Sequence, residues 1–286
     1  MTTQEEYLLL LDLTYHVAQS LKGSTYPDPF FYDCNKLALK LFYHAATIYW
    51  LRQGSKALVP EPDGALFFDV ASVAVITRTV LETYLTMFEL FFEQISDDER
   101  EFRHASWMLE GLVIRENLVP LDPTLVEKMA QSQLEIEKLR ARIKKTDAYQ
   151  LLSEKQKKAV IAGHSPSKRF EDRIKVAGFA PKTARRMNQY LSSYVHSDGL
   201  SAIQLMDSKS RYDQQDHIES LMCRVMMAMA KMILEYKRLF PPAEAACLAR
   251  PKNLELAMVW SEIARRDQLQ GDEDSSYERP PNIGYA

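Results

Sequence analysis

The chain has 286 residues, of which 46% are apolar and 26% charged, and its formal net charge is −3. This balance is typical of a soluble globular protein whose core forms without disulfide bonds or bound metal. Leu, Ala, Met, Glu, Lys and Arg are abundant and only nine glycines occur, which predicts an all-α protein and disfavours nucleotide-binding folds built on strands.

Three cysteines, Cys34, Cys223 and Cys247, are odd in number and widely spaced. The absence of a C-x-x-C pair excludes a zinc ribbon and a dithiol redox motif. We therefore expect free thiols and a reducing, cytoplasmic location. The N-terminus carries acids rather than a basic segment, so no signal peptide is predicted.

The predicted elements are about eight to ten helices of one domain, residues 1–268, followed by a flexible acidic tail, 269–286. Capping residues, apolar periodicity and Pro or Gly stops delimit the helices. In chain order they are 3–22, 30–53, 65–95, 96–118, one from Pro123, a short one ending near 177, 181–196, 213–239 and 252–268.

The third of these helices is the most apolar, which predicts a position at the centre of the domain. It nevertheless holds four charged residues, Asp69, Arg78, Glu82 and Glu89, so a buried core helix is predicted in preference to a membrane span. The later helix 213–239 carries a methionine stripe, which we interpret as core filling.

Residues 125–162 combine a heptad-like apolar pattern with one polar seam position, Ser132. The pattern is compatible with a projecting helical arm that can bind a protein partner, and equally with an ordinary surface helix. A homodimer is a further possibility, in which the basic segment 138–186 of one copy neutralises the acidic N-terminal half of the other.

Charge divides unevenly along the chain. Residues 1–137 contain 10 basic and 21 acidic residues, whereas residues 138–186 contain 15 basic and 4 acidic residues. This basic segment either binds a polyanion such as RNA or neutralises the acidic part of the same fold. The candidate phosphate-binding residues are Lys144, Lys145, Lys157, Lys158, Arg185 and Arg186.

Two short motifs carry the candidate chemistry. Arg78 and Glu82, in "RTVLE", lie four residues apart and share one helix face. His196, in "YLSSYVHS", ends a helix one turn after Ser192 and Ser193. The arginine and the glutamate form either a structural ion pair or part of a site, and His196 acts either as a helix-terminal cation or as an acid or base.

These two motifs together resemble those of a bacterial all-helical family that pairs R-x3-E with Y-x2-S-x2-H, and that is distantly similar to HEPN nucleotide-binding bundles. The resemblance implies a helical effector acting on RNA, such as a metal-independent endoribonuclease of a toxin or antiviral defence system. Its Arg-to-His motif has one counterpart here, Arg211 and His217 in "RYDQQDH", although about one such spacing is expected by chance.

The functional expectation is therefore an RNA-directed enzyme in which His196 acts as acid or base, Arg78 stabilises a phosphate and Glu82 positions the arginine. The alternative is a non-enzymatic interaction module that binds a protein or nucleic acid. No metal or other cofactor is expected. A di-metal helical bundle needs two E-x-x-H pairs, and the only one here, Glu101 and His104, lies in a charged segment that we expect at the surface.

Overall fold

The computed structural model describes residues 2–23, 29–56, 66–117, 124–166, 168–196, 198–207 and 210–266. The predicted all-α class is confirmed. Apart from a pair of two-residue strands, β1 (Ser55–Lys56) and β2 (Leu66–Phe67), the regular structure of this part is helical. The predicted tail, 269–286, lies outside the described residues.

Thirteen α-helices occur within the described ranges, and α3 continues into a five-residue π-helical turn, Phe88–Phe92. They are α1 (Thr3–Gln19), α2 (Pro29–Leu51), α3 (Val70–Met87), α4 (Asp97–Glu116), α5 (Thr124–Lys144), α6 (Asp147–Gln150), α7 (Glu154–Ile161), α8 (Phe170–Val176), α9 (Pro181–His196), α10 (Gly199–Asp207), α11 (Arg211–Leu239), α12 (Pro241–Leu248) and α13 (Pro251–Arg265).

The number of helices exceeds the predicted eight to ten because short helices, among them α10 and α12, occur between the predicted ones. Asp198 does end α9, but its carboxylate also accepts the backbone N–H groups of Leu200 (3.1 Å) and Ser201 (3.3 Å). It thereby begins α10 as an N-terminal cap. Pro241 similarly occupies the first position of α12, where a missing N–H costs nothing.

The helix at the centre of the larger hydrophobic core is α11, which packs against α1, α3 and α13. Its methionine stripe is buried, as predicted; Met222, Met226, Met229 and Met232 have no exposed surface. Helix α3, which was predicted to be central, packs against α2, α9 and α11, but Val75 and Glu82 leave one edge of it exposed. No helix in the described part of the chain is long and apolar enough to span a membrane.

A second, smaller hydrophobic cluster lies between α4, α5, α6 and α7. Helices α4 and α5 run antiparallel, since Arg142 contacts Glu101 at one end and Arg115 contacts Ser132 at the other. The buried hydroxyl of Ser132 accepts a hydrogen bond from the Arg115 guanidinium, which satisfies the polar position in the apolar seam. The segment interpreted as an arm is thus packed along α4.

The free thiols that were predicted are present. Cys34 and Cys247 are buried and Cys223 is half-buried, and none forms a disulfide bond. Burial raises the pKa of Cys34 to about 12 and that of Cys247 to about 11. These thiols are therefore packing groups at neutral pH.

Lys231 is the one charged side chain among the buried residues described for the core, and it lies within α11. Its Nζ donates a hydrogen bond of 3.0 Å to the carbonyl of Ala177, just after α8, and lies 5.0 Å from the ring centre of Phe179. Burial lowers the pKa of Lys231 to about 8, and Arg265 adds to this effect. The lysine thus secures the turn between α8 and α9.

This burial predicts a pH-dependent stability. The pKa of Lys231 is about 8 when folded, against 10.5 for the ordinary side chain. The unfolded chain therefore binds more protons between these values, and the stability that depends on Lys231 rises with pH across this window. At about 1.4 kcal/mol per pKa unit, the free energy of unfolding of the wild-type protein should rise across this window by on the order of 3 kcal/mol relative to that of Lys231→Met.

Urea unfolding of both proteins at several pH values between 7 and 10 measures this difference. The cysteine and tyrosine ionisations are common to both proteins and cancel in the comparison. A difference that stays constant with pH would show that Lys231 titrates normally in the folded state.

Candidate functional site

Arg78 lies where α3 is crossed by α8 and α9. Its guanidinium donates to Glu82 Oε1 at 2.8 Å, to Asn188 Oδ1, and to Ser192 Oγ at 3.3 Å. Its Cζ lies 3.7 Å from the ring centre of Phe170. We call these five residues the Arg78 cluster. The cluster joins three helices through one planar cation that both stacks and donates in several directions.

The Arg78–Glu82 ion pair is at the surface. The side chain of Arg78 is 16% exposed and that of Glu82 is 48% exposed. Because solvent reaches the carboxylate of Glu82, the free-energy cost of removing its charge from water is small. Accessibility to solvent is what a catalytic cluster requires, but the donors of Arg78 are already occupied by protein acceptors.

Helices α3 and α9 run antiparallel, because Arg78 meets Asn188 and Ser192 whereas Tyr84 meets Phe179. His196 lies one turn beyond Ser192, level with the first half of α3. Its side chain is exposed and has no hydrogen-bond or ion-pair partner among the described residues. The contacts found for Arg78 and Glu82 do not include His196, so their expected cooperation stays a prediction.

Two other side chains of the "YLSSYVHS" motif, those of Ser193 and Tyr194, are buried. Ser193 is buried and donates to the carbonyl of Tyr190 in its own helix at 2.7 Å. The hydroxyl of Tyr194 is buried and has no hydrogen bond of good geometry within the described residues, and burial, with the nearby Tyr190, raises the pKa of this tyrosine. Ser192, through its bond with Arg78, links the described part of this motif to the R-x3-E motif.

The second Arg and His pair is not assembled on one face. Arg211 and His217 both lie in the first two turns of α11, with Arg211 exposed and His217 half-buried. Six residues correspond to about 600° of helical rotation, which directs the two side chains about 120° apart. The neighbouring Ser210 and Asp213 form a capping box, whose hydrogen bonds lower the pKa of Asp213. This segment starts a helix in an ordinary way.

The six candidate phosphate-binding residues occupy two places. Four of them lie at the α5–α7 end of the second cluster, and Lys157 among these pairs with Glu154 at 3.1 Å. The other five candidates, of which the last two lie on α9, are exposed and have no partner among the described residues: Lys144, Lys145, Lys158, Arg185 and Arg186. These five cations are available to a polyanion.

Other members of the basic segment are bound to acidic helices. Arg142 pairs with Glu101, Lys168 with Glu93, and Arg173 with Glu89. Each pair joins the segment 138–186 to the α3–α4 region. Part of the charge of this segment thus neutralises acidic residues of the same fold, whereas polyanion binding by its exposed cations stays a prediction.

Glu101 and His104 were predicted to lie in a surface segment, and this prediction is wrong for His104. His104 is buried, and its Nε2 lies 3.1 Å from Asp33 Oδ2. Burial opposes ionisation of Asp33, but hydrogen bonds from His104 and Lys36 outweigh it and lower the pKa of the carboxyl group. Within the described residues, no group of three His, Cys, Asp or Glu side chains is placed to hold a metal ion.

One face of α2 is exposed to solvent, which the sequence did not predict. Three large aromatic side chains on it are 60–67% exposed, namely Tyr32, Tyr43 and Trp50. Lys36 and Lys40 lie between them on the same exposed face. The 4-4-3-7 spacing of the five residues was available in the sequence, but nothing in a single sequence shows that this face of the helix is left uncovered.

Comparison of the chain with protein-family models, with curated proteins and with solved structures finds no match. The resemblance to HEPN-like bundles thus stays a prediction from the two short motifs.

The Arg78 cluster predicts a measurable contribution to stability. Arg78→Ala should lower the free energy of unfolding by about 1–3 kcal/mol, because the amide of Asn188 and the hydroxyl of Ser192 lose a charged donor. Glu82→Gln should cost less than about 1 kcal/mol, since the carboxylate is half exposed. Urea unfolding measures both changes.

Arg185→Ala is the matched control, because Arg185 is an exposed arginine of the same region without a described partner. It should leave the unfolding curve unchanged. If Arg78→Ala is as stable as this control, the cluster does not hold the three helices together.

Proposed function

We propose that this protein binds single-stranded RNA and that the exposed face of α2 is the binding surface. The observation that supports the proposal is the alternation of aromatic and basic groups on one helix face. Tyr32, Lys36, Lys40, Tyr43 and Trp50 all face solvent. Nucleic-acid-binding proteins without sequence preference combine the same two elements, aromatic platforms for bases and cations for phosphates.

The dimensions of this face suit an extended strand. Tyr32 and Trp50 are eighteen residues apart, which corresponds to about 27 Å along the helix axis. A strand of several nucleotides covers this length, and stacking is open only to bases that are not paired. Duplex RNA is therefore excluded from the aromatic platforms.

The charge presented to solvent on this face is positive. Lys36 pairs with Asp33 at 3.1 Å, but the aspartate side chain is only 12% exposed and the lysine 59%. Lys40 has no described carboxylate partner. A phosphate that approaches this face thus meets the two ammonium groups before it meets the acid.

The test is the affinity for a short fluorescent oligouridylate, measured by anisotropy. Trp50→Ala and Tyr43→Ala should each weaken binding at least about fivefold, because stacking of one base contributes about 1–3 kcal/mol. Quenching of Trp50 fluorescence provides a direct readout, since this is the most exposed of the three tryptophans. If the two lysines contact phosphates, a plot of the logarithm of the association constant against the logarithm of the salt concentration should have a slope of about −1.4.

Tyr212→Ala is the control, because this tyrosine is 79% exposed but lies on α11, off the binding face. It should bind like the wild-type protein. Equal binding by Trp50→Ala, or equal affinity for duplex RNA, would contradict the proposal. Charge reversal at Lys144, Lys145 and Lys158 tests separately whether the α5–α7 cations extend the surface, in which case the salt slope becomes shallower.

The second candidate is metal-independent RNA cleavage, favoured by the exposed and unpartnered imidazole of His196 one turn from the Arg78 cluster. In such a reaction the imidazole accepts the proton of a ribose 2′-hydroxyl, whose oxygen attacks the adjacent phosphorus. The bond from phosphorus to the 5′-oxygen then breaks, and a proton donor neutralises the leaving group. A guanidinium such as that of Arg78 stabilises the phosphorane charge once it is released from Asn188.

His196→Ala should lower cleavage at least about 100-fold, as expected for loss of an acid–base group. The melting temperature should not change, because the side chain is exposed. The measurement is the appearance of 2′,3′-cyclic phosphate ends on a labelled RNA. His217→Ala is the matched comparison, and loss of activity in that variant alone would assign the chemistry to the Arg211 motif. Full activity of His196→Ala would refute its role.

A further inference from the structure

A cavity of about 340 Å³ lies between the end of α1 and the first turns of α2. The two helices run antiparallel, since Gln4 near the start of α1 donates to the hydroxyl of Tyr49 near the end of α2. Tyr32 and Lys36, which belong to the exposed face of α2, also line this cavity. The cavity is therefore continuous with the surface to which we assign RNA binding.

The side chains that line the cavity are largely apolar or basic. Leu21, Phe31 and Leu39 supply apolar surface, and Lys22 and Lys36 add two ammonium groups. No aspartate or glutamate belongs to the described lining of this cavity. The potential inside is therefore positive, which favours an anion that also carries an apolar or aromatic part.

The two lysines reach the cavity from different helices. Lys22, just after α1, is exposed, and its side chain has no ion-pair or hydrogen-bond partner within the described ranges. Lys36 pairs with Asp33, but its Nζ also lies 4.4 Å from the ring centre of Tyr32. One cation for a phosphate and one ring for a base are thus adjacent, as a nucleotide requires.

A terminal phosphate fits this pair of cations better than an internal one. A phosphate monoester carries about 1.5–2 negative charges at neutral pH, whereas each phosphodiester within a strand carries only one. At roughly 30 Å³ per water molecule, the cavity has the volume of about eleven waters, which suits one nucleotide and not several.

We propose that this cavity binds the phosphorylated end of the RNA strand that lies on the α2 face, an inference that rests on the function proposed above. The terminal phosphate contacts Lys22 and Lys36, and the terminal base packs against the ring of Tyr32. The following nucleotides then extend along α2 toward Tyr43 and Trp50.

Three oligouridylates of equal length, each with its fluorophore on an internal base, test this proposal. One has hydroxyl groups at both ends, one has a 5′-phosphate and one has a 3′-phosphate. At least one phosphorylated strand should bind about tenfold or more tightly than the hydroxyl-ended strand, because hydrogen bonds between two charged groups are the strong ones. The anisotropy titration that shows this gain also identifies the end that enters the cavity.

Lys22→Gln should abolish the preference for the phosphorylated strand and leave the affinity for the hydroxyl-ended strand unchanged, because Lys22 lies outside the α2 face. Lys40→Gln is the matched control, since Lys40 is an exposed lysine of that face but is not among the residues that line the cavity. It should weaken all three strands by the same factor and keep the preference. Both side chains are exposed, so neither substitution should change the melting temperature.

The proposal is overturned if the three strands bind the wild-type protein equally, or if Lys22→Gln keeps the preference. Equal binding that Trp50→Ala still weakens would refute recognition of the strand end alone and leave RNA binding by the α2 face intact. If none of the three strands binds, both proposals are refuted.

Discussion

The arrangement of the whole molecule depends on the burial of α11. This helix of 29 residues presents apolar side chains in nearly every direction along its central turns, so it is stable in water only when other helices cover it. Helices α1, α3 and α13 supply this cover. Flexible methionines fill the irregular space between helices that cross at different angles, and they do so without polar atoms that need partners.

The packing of other helices around α11 determines where the charged side chains of those helices lie. The helices that surround it must keep their polar faces outward, and the ionic groups near helix junctions then meet across elements. Arg78, Arg142 and Arg173 are examples, each joining segments far apart in sequence. Arginine suits these positions because its planar cation donates to several acceptors and stacks on rings. Much of the basic segment is thus part of the architecture.

The same constraint leaves two features that packing does not explain. The outer face of α2 keeps three large aromatic rings in water, where a purely structural helix would carry polar groups. Beside the π turn, Glu110 of α4 lines a cavity of about 200 Å³ and has no ion-pair partner among the described residues. Both are departures from the otherwise consistent assignment of apolar groups to the interior and paired charges to helix junctions, and such departures tend to mark functional sites.

The sequence by itself determined the helical class, most helix positions, the buried methionine stripe and the polar seam at Ser132, because capping and periodicity are properties of neighbouring residues. It also placed Arg78 and Glu82 on one helix face, but it did not identify the hydroxyl of Ser192, the amide of Asn188 or the ring of Phe170 that complete their cluster. Only the tertiary structure decided that α11 rather than α3 is central, that His104 is buried against Asp33, and that the face of α2 is uncovered. The physical reason is that burial depends on which helix faces meet, and faces that meet come from segments far apart in the chain, such as those of Arg78 and Asn188, which are 110 residues apart.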